Sequence, residues 1–415
     1  MNIKWVRSLI ALLVAACVTP MKTRVLLDPA VATSKKAAAP WTPGRLYDRV
    51  AARLQTSLYD TAFRRTQLPG LIDQFRTDAL QSTNPAEERV VIWRLLAYIP
   101  ATHLGLLSRP AYVALINEIN GTPHAMFGLQ LLRIDDRYFA ATVLTGGPAD
   151  FAGIREWDEI AAVDGRPAGE SPRLDWRSDD AYLGDDRDPP TYGILAAIRD
   201  SMRLTVAEQP GRTRDVVVTA RSYSAYLAAV RSVRRFERDL VRIGYIHWWY
   251  MHGRGIPNML TKALKGPLKH CDALVLDLRG RGGSGEAVSA LIAALSREPA
   301  KRFDGAVVAL IDRHTRSAKE MLAADLRTQG LARLVGEPTA GAVVGAGFDE
   351  VGDGAILMLP ESPVSQYTER LELKPTVPDV AVSWGGPSSG TRDPILEAGL
   401  DEAARLAHLK KSSRH

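Results

Sequence analysis

The chain has 415 residues, a formal net charge of +6, 46% hydrophobic and 24% charged residues. That length exceeds one ordinary core and implies two or three domains, and the balance is that of a globular protein. Its basic residues are scattered, clustering only at Arg231–Arg235 and Lys410–Arg414 with no interleaved stacking aromatics, which speaks against a nucleic-acid partner. The first cluster reads as a solvated helix face.

Residues 1–17 read as a processing segment rather than structure. Lys4 and Arg7 precede an uncharged, almost wholly apolar stretch from Ser8 to Ala16. The stretch is shorter than the roughly 20 apolar residues that a membrane span needs. Val14-Ala15-Ala16-Cys17 resembles the lipobox of bacterial lipoproteins. It implies lipidation of Cys17 and an exported, periplasmic or cell-envelope protein with a possible lipid anchor; a plain secretory signal is the alternative. Residues 18–44, rich in Ala, Pro, Lys and Thr, read as a tether. Cys271, the second of two cysteines, reads as a small buried hydrophobe. Neither cysteine builds a metal site alone.

Over residues 45–118 the apolar residues recur at helical spacing, as in Leu54, Leu58, Val90, Ile92, Leu95 and Leu96. Pro69-Gly70 is expected to break the pattern and Pro100 to end it. Residues 119–222 are rich in strand signals. Phe127–Leu131, Tyr138–Leu144 and Ile160–Val163 read as strands, and Met202–Glu208 pairs with Asp215–Ala220 across a Pro-Gly turn. The Asp-rich stretch 168–190 reads as an inserted loop. Over residues 223–405 strands alternate with helices: Gly244–Tyr250, Ala273–Leu278, Val307–Ile311 and Leu334–Gly336 against Ala287–Leu295 and Ser317–Leu326. That alternation predicts an α/β domain with a largely parallel sheet. Residues 406–415 read as a basic tail. The fold class is therefore multidomain α+β, a helical N-terminal domain followed by a β-rich and an α/β domain.

Five segments in order resemble peptidase family S41, which joins the carboxyl-terminal processing proteases and tricorn-like enzymes. They are Thr102-His103-Leu104 with Leu107–Pro110; Phe127–Gln130 with Gly147–Ile154 and Trp157–Gly165; Asp277–Gly283; Asp312–Glu320 with Leu334–Thr339; and Leu371-Glu372 with Val377–Asp379. The resemblance implies a PDZ-like domain in the β-rich region and a ClpP/crotonase-like catalytic domain after it. Phe127, Gly128, Leu129 and Gln130 would present backbone amides to a peptide carboxylate, and the adjoining strand edge would take an extended peptide as a further strand.

The resemblance makes Ser317 the nucleophile of a serine peptidase acting through an acyl-enzyme. Ser317 falls between a strand and a helix, and a helix N-terminus favours developing negative charge. Ala318 and either Gly282 or Gly283 would supply the oxyanion donors. A hydroxyl needs a base. The processing proteases place a lysine after the Gly-Glu-Pro-Thr-like turn, whereas Ala340–Val344 stands here. The tricorn-like branch instead implies His103 as base, oriented by Thr102 and Glu372 in the logic of a triad. His314 competes with His103; Ser317 could merely cap a helix, and Glu372 merely pair with an arginine. Lys319 reads as a surface residue, and Asp277 and Arg279 as supports of the glycine loop.

No cofactor or metal is implied. His-Glu-x-x-His is absent and the eight histidines are dispersed. Gly280-x-Gly282-x-x-Gly285 also satisfies a dinucleotide-binding pattern, leaving a Rossmann reading open. The partners implied are peptide or protein substrates held through extended or carboxyl-terminal segments. An inactive peptide-binding protein of the same fold is the other alternative.

Overall fold

The computed structural model describes residues 40–176, 191–194, 196–209, 211–296, 303–385 and 393–413. The segment bearing Cys17 lies outside them. The chain opens with four helices, α1 (Arg45–Ser57), α2 (Thr61–Thr66), α3 (Leu68–Gln81) and α4 (Pro85–Ala97). Their starts are chemically marked. Asp60 accepts amide hydrogen bonds from Ala62 and Phe63, Asn84 accepts from Ala86 and Glu87, and Pro85 opens α4. Pro69-Gly70 does not break a helix. It lies in the first turn of α3, where a proline's missing N–H costs nothing, and the break falls just before it at Gln67. Val90 is exposed, while Ile92, Leu95 and Leu96 are buried.

The helical region does not close its own core. Strand β1 (Gly105–Ser108) follows α4 and pairs antiparallel with a hairpin from residues 345–362, Leu106 facing Leu357. Ala355, Leu357 and Leu359 of that hairpin share one apolar cluster with Leu54, Ile92 and Leu95. Residues Thr102 and His103, just before β1, are thereby fixed against a distant part of the chain. Helix α5 (Arg109–Asn120) starts at Ser108, which caps it through the amide of Ala111.

The β-rich unit holds β2 (His124–Met126), β3 (Leu129–Ile134), β4 (Arg137–Val143), α6 (Pro148–Phe151), β5 (Glu159–Val163), β6 (Arg166–Pro167), β7 (Leu174–Trp176), β8 (Thr191–Ile194), β9 (Ser201–Gln209), β10 (Arg212–Thr219) and β11 (Arg221–Tyr223). Its main sheet runs β10-β9-β5-β4-β3-β8-β7, all antiparallel. Two parts of the stretch expected to be a loop or its flank are therefore strands: β7 lies within 168–190 and β8 directly follows it.

The last region comprises α7 (Ala225–Ser232), β12 (Arg234–Arg238), β13 (Val241–His247), α8 (Gly255–Lys265), β14 (Ala273–Asp277), α9 (Glu286–Leu295), β15 (Ala306–Ile311), α10 (Ala318–Thr328), β16 (Arg333–Gly336), β17 (Gly345–Gly352), β18 (Ala355–Ser362), α11 (Ser365–Leu371), β19 (Val380–Ala381) and α12 (Pro394–Ser412). The sheet runs β12-β13-β14-β15-β16-β19, parallel from β13 onward. Strands β14 and β15 are buried along their length, as unbroken runs such as Ala306-Val-Val-Ala-Leu-Ile311 require when both faces are covered. Helices α8, α9 and α10 cover one face and α12 the other. Two expectations are corrected here. Arg231 lies in the last turn of α7 while Arg234 and Arg235 lie in β12, so the basic cluster is no single helix face. Residues 406–412 are not a tail but the end of α12, with Ala407 packed on the sheet. No helix among the described residues is long and apolar enough to cross a membrane.

Candidate active site

Ser317 sits where β15 has ended and α10 is about to begin. Its backbone adopts φ 52°, ψ −129°, a conformation that costs a residue with a side chain of order 1–3 kcal/mol. Packing and hydrogen bonds hold it there. The Ser317 amide donates to the Ala342 carbonyl at 2.6 Å. Just before it the buried Thr315 hydroxyl reaches Leu278 O at 3.1 Å and Asp312 Oδ1 at 3.0 Å. The Ser317 hydroxyl makes no capping bond to α10, so the helix-cap alternative does not account for it. Ala318 is the first residue of α10, and its amide has no acceptor inside the helix.

The glycine loop following β14 closes directly on this serine. A Cβ on Gly282 would stand 2.6 Å from the Ser317 Cβ, so only glycine permits the approach. Gly283, at φ 142°, bridges to Met251, whose amide donates to the Gly282 carbonyl at 3.0 Å. Gly282 and Ala318 thus flank Ser317, while Gly283 is turned against Met251. With its second glycine packed against a serine, the loop closes where a dinucleotide-binding loop would have to cradle a pyrophosphate, and the Rossmann alternative falls.

Thr102, His103 and Glu372 come together although 270 residues separate the first and last. Glu372 Oε1 accepts from the Thr102 amide at 3.0 Å and from its hydroxyl at 2.8 Å. Glu372 Oε2 accepts from the amides of Val343 and Val344 at 2.9 and 3.0 Å. No arginine is among these partners. The Thr102 hydroxyl also lies 3.1 Å from His103 Nδ1. A hydroxyl has one hydrogen, and here it goes to the carboxylate, so Nδ1 must be the protonated nitrogen that donates to Thr102. In the neutral ring Nε2 then carries the lone pair. His314 instead sits in the loop before Ser317, its amide donating to Asp312 at 3.1 Å.

Residues 341–344 join the two halves. The Ala342 carbonyl takes the Ser317 amide, and the next two amides are taken by Glu372. On the other side Glu320, from α10, accepts from the amides of Gly341 at 3.0 Å and Ala342 at 2.8 Å and from the Thr339 hydroxyl. Burial raises the Glu320 carboxyl to about 7 against these bonds. The segment that lacks the processing proteases' lysine is thus a backbone strap between two buried carboxylates.

Lys319 overturns its reading as a surface residue. It is fully buried, at 0% exposure. Its Nζ donates to the carbonyls of Trp248 at 2.5 Å, Arg279 at 2.9 Å and Leu278 at 3.2 Å. Residue spacing alone says that Lys319 does not point as Ser317 does, but not that the opposite direction is the protein interior. Asp277 is fully buried too; it accepts from the Tyr245 hydroxyl at 2.8 Å and doubly from the Arg279 guanidinium, which also grips Asp393. Desolvation opposes ionisation of Asp277, but the Arg279 and His247 charges and these bonds hold its carboxyl well below the usual range. Among the described residues no group of three or more His, Cys, Asp or Glu is placed to hold a metal ion. Cys271 is half-buried and burial pushes its thiol up.

The Phe127–Gln130 segment differs from expectation. Phe127 and Leu129 turn into the core of the β-rich unit, and Gly128 adopts φ 75° against Pro148. The free strand edge is not there. Strand β8 occupies it, Gln130 facing Gly193, Leu131 facing Tyr192 and Leu132 facing Thr191. What remains open is a cavity of about 430 Å³ beside the segment, lined among others by Val113, Gly128, Ile194, Trp249, Gly280 and Arg281. It brings the start of β3 and the glycine loop onto one space.

This α/β fold carries a serine at a strand–helix junction and a Thr-His-Glu cluster tied to the same backbone strap, residues 342–344. Residues 292–382 match the model of peptidase family S41. The chain is 26% identical to tricorn protease homolog 2 of Streptomyces coelicolor (strain ATCC BAA-471 / A3(2) / M145), over 89% of its own length and 32% of that protein's. It therefore spans about a third of that relative. Its fold is similar to that of the photosystem II D1 C-terminal processing protease, with a TM-score of 0.52 at 18% identity, covering 88% of this chain and 99% of that one. It is also similar to mature CPAF complexed with lactacystin, with a TM-score of 0.54 at 12% identity, covering 89% and 99%. The match over residues 292–382 is to the same family that the motifs resemble.

Proposed function

We propose that the chain is a serine peptidase that cleaves peptide bonds through an acyl-enzyme. Ser317 Oγ attacks the scissile carbonyl while His103 Nε2 takes its proton. The resulting oxyanion is met by the amides of Ala318 and of Gly282 or Gly283, each donor contributing roughly 3 kcal/mol. The same imidazolium then gives its proton to the departing amine, leaving an ester on Ser317. Water, deprotonated by His103, hydrolyses that ester and restores the hydroxyl. Thr102 and Glu372 hold the tautomer and stabilise the imidazolium.

The observation that carries this reading is the hydrogen-bonded series from Glu372 through Thr102 to His103 Nδ1, which leaves Nε2 the basic nitrogen. It is joined to the Ser317 backbone through residues 342–344. The β-rich unit is read as a PDZ-like holder of peptide substrates, with Phe127–Gln130 and the cavity beside them as the docking place; export and a lipid anchor at Cys17 complete the reading. The test is labelling with a fluorophosphonate probe. Wild type is expected to label and Ser317→Ala not to; equal labelling of both would exclude Ser317 as nucleophile.

A further inference from the structure

Lys319 places an amine where a charge is hardest to keep. Desolvation draws its pKa down to about 7 against the pull of Asp312 and Asp277, with Arg279 adding to the fall. A methionine of similar length would fill the space without that cost, so stability alone does not explain a lysine. Its bonding does. An ammonium has three hydrogens, and three carbonyls surround this one. One carbonyl belongs to Trp248, just past β13. The other two, of Leu278 and Arg279, open the glycine loop.

Those two peptide groups are held on their other rim as well. The Arg279 amide donates to Asp277 Oδ1 at 3.1 Å, and the Gly280 amide donates to Asp312 Oδ1 at 3.3 Å. Lys319 therefore pulls the carbonyls one way while two carboxylates take the N–H groups, which fixes the peptide planes. Two residues further on, Gly282 packs against Ser317 with no room for a Cβ. A small rotation at 278–280 displaces Gly282 directly.

We propose that Lys319 is a positioning residue for the peptidase reaction: its ammonium, reaching from α10 beneath the glycine loop, holds Leu278–Gly280 so that the loop amides face the oxyanion formed at Ser317. The inference rests on the peptidase reading and adds to it a residue that never touches substrate. The loop meets only the developing charge, so its misplacement acts on kcat rather than on binding.

The experiment compares wild type with Lys319→Met in hydrolysis of an internally quenched peptide, with thermal unfolding measured alongside. The variant is expected to lose about 10²-fold in kcat, the scale of one oxyanion donor, with KM within about twofold and Tm not lowered. An unchanged kcat in the folded variant, or a loss expressed in KM, overturns the proposal. Should the methionine variant not fold, Lys319→Ala assayed with added ethylammonium decides. Dose-dependent recovery of kcat supports the role, and no recovery removes it. A wild type that the fluorophosphonate leaves unlabelled removes the peptidase reading itself, whereas a labelled wild type with an unimpaired Lys319→Met removes only this inference.

Discussion

The glycine loop and strand β3, which both border the cavity, are built by opposite means. On one side, the glycine loop and the residues around Ser317 are pinned by buried ionisable groups: Asp277, Arg279, Lys319, Glu320 and Glu372 each make two or more hydrogen bonds to neighbouring backbone or side chains. On the other side, β3 is held by backbone pairing and by apolar side chains such as Phe127 and Leu129. Charged anchors leave one arrangement affordable, because each unpaired partner would carry its full desolvation cost. Strand pairing is exchangeable, since any extended chain offers the same amides and carbonyls. The difference teaches that the glycine-loop side is made to be rigid and the β3 side to be occupied by one strand or another.

The sharpest way to break that contrast is at Ser317, the proposed nucleophile. Ser317→Ala should abolish fluorophosphonate labelling and lower peptide hydrolysis by at least about 10³-fold, as in other enzymes of this logic. Circular dichroism and Tm should be unchanged, because the strained backbone is held by the Ala342 carbonyl rather than by the hydroxyl. Activity that survives in the alanine variant would place the chemistry elsewhere.

Next in size is the carboxylate behind the histidine. Glu372→Gln keeps the shape but can no longer accept at every one of its four partners, so the Thr102 hydroxyl is free to turn and the His103 tautomer is no longer imposed. A loss of about 10²–10⁴-fold in kcat is expected, by analogy with a triad whose orienting acid is neutralised. A loss under tenfold would mean that Glu372 serves only to hold residues 343–344.

The same contrast decides what was legible beforehand. That Thr102, His103 and Glu372 would meet could be expected because chemistry restricts the residue types of such a cluster, and the order of motifs along the chain restricts their position. The parallel sheet was readable from strands such as Ala306–Ile311, which are apolar throughout because both faces are covered. Lys319 misled because a charged residue is almost never fully buried unless paired, and its partners are three carbonyls, which leave no trace in a sequence. Strand β8 was hidden for a related reason: a short strand among Asp and Pro residues shows no alternation, and its pairing with β3 is a backbone property. The β17–β18 hairpin, which completes the helical core and seats the Thr102–His103 turn, joins segments about 250 residues apart, beyond any local pattern.

Buried ionisable groups also give the residues around Ser317 a pH signature. Glu320 is raised from 4.5 to about 7, chiefly by desolvation. Between those values the unfolded chain has released the proton that the folded chain keeps, so folding weakens as pH rises through the window. Lys319 is lowered from 10.5 to about 7, again chiefly by desolvation. Between those values the folded chain has released a proton that the unfolded chain keeps, so folding strengthens as pH rises. Urea unfolding should therefore show the stability of wild type relative to Glu320→Gln falling from pH 5 to 7. Relative to Lys319→Met it should rise from pH 7 to 10. Parallel profiles for wild type and variants would show that neither group titrates as its burial requires.

The smallest effect is expected where the contrast says the molecule is softest. Gly193 pairs with Gln130 across the β3–β8 edge. Proline there has no N–H to donate and fixes φ, so Gly193→Pro should loosen β8 from β3 at a cost of about 1 kcal/mol in global stability. The edge it uncovers is the one an extended peptide would add to. Hydrogen exchange should show faster exchange at Gln130–Leu132 while β14 and β15 remain protected, and a fluorescent peptide should bind the variant several-fold more tightly. Unchanged exchange at β3 together with unchanged peptide affinity would show that β8 is as firmly seated as the charged loop opposite, and the two sides would then differ in composition but not in rigidity.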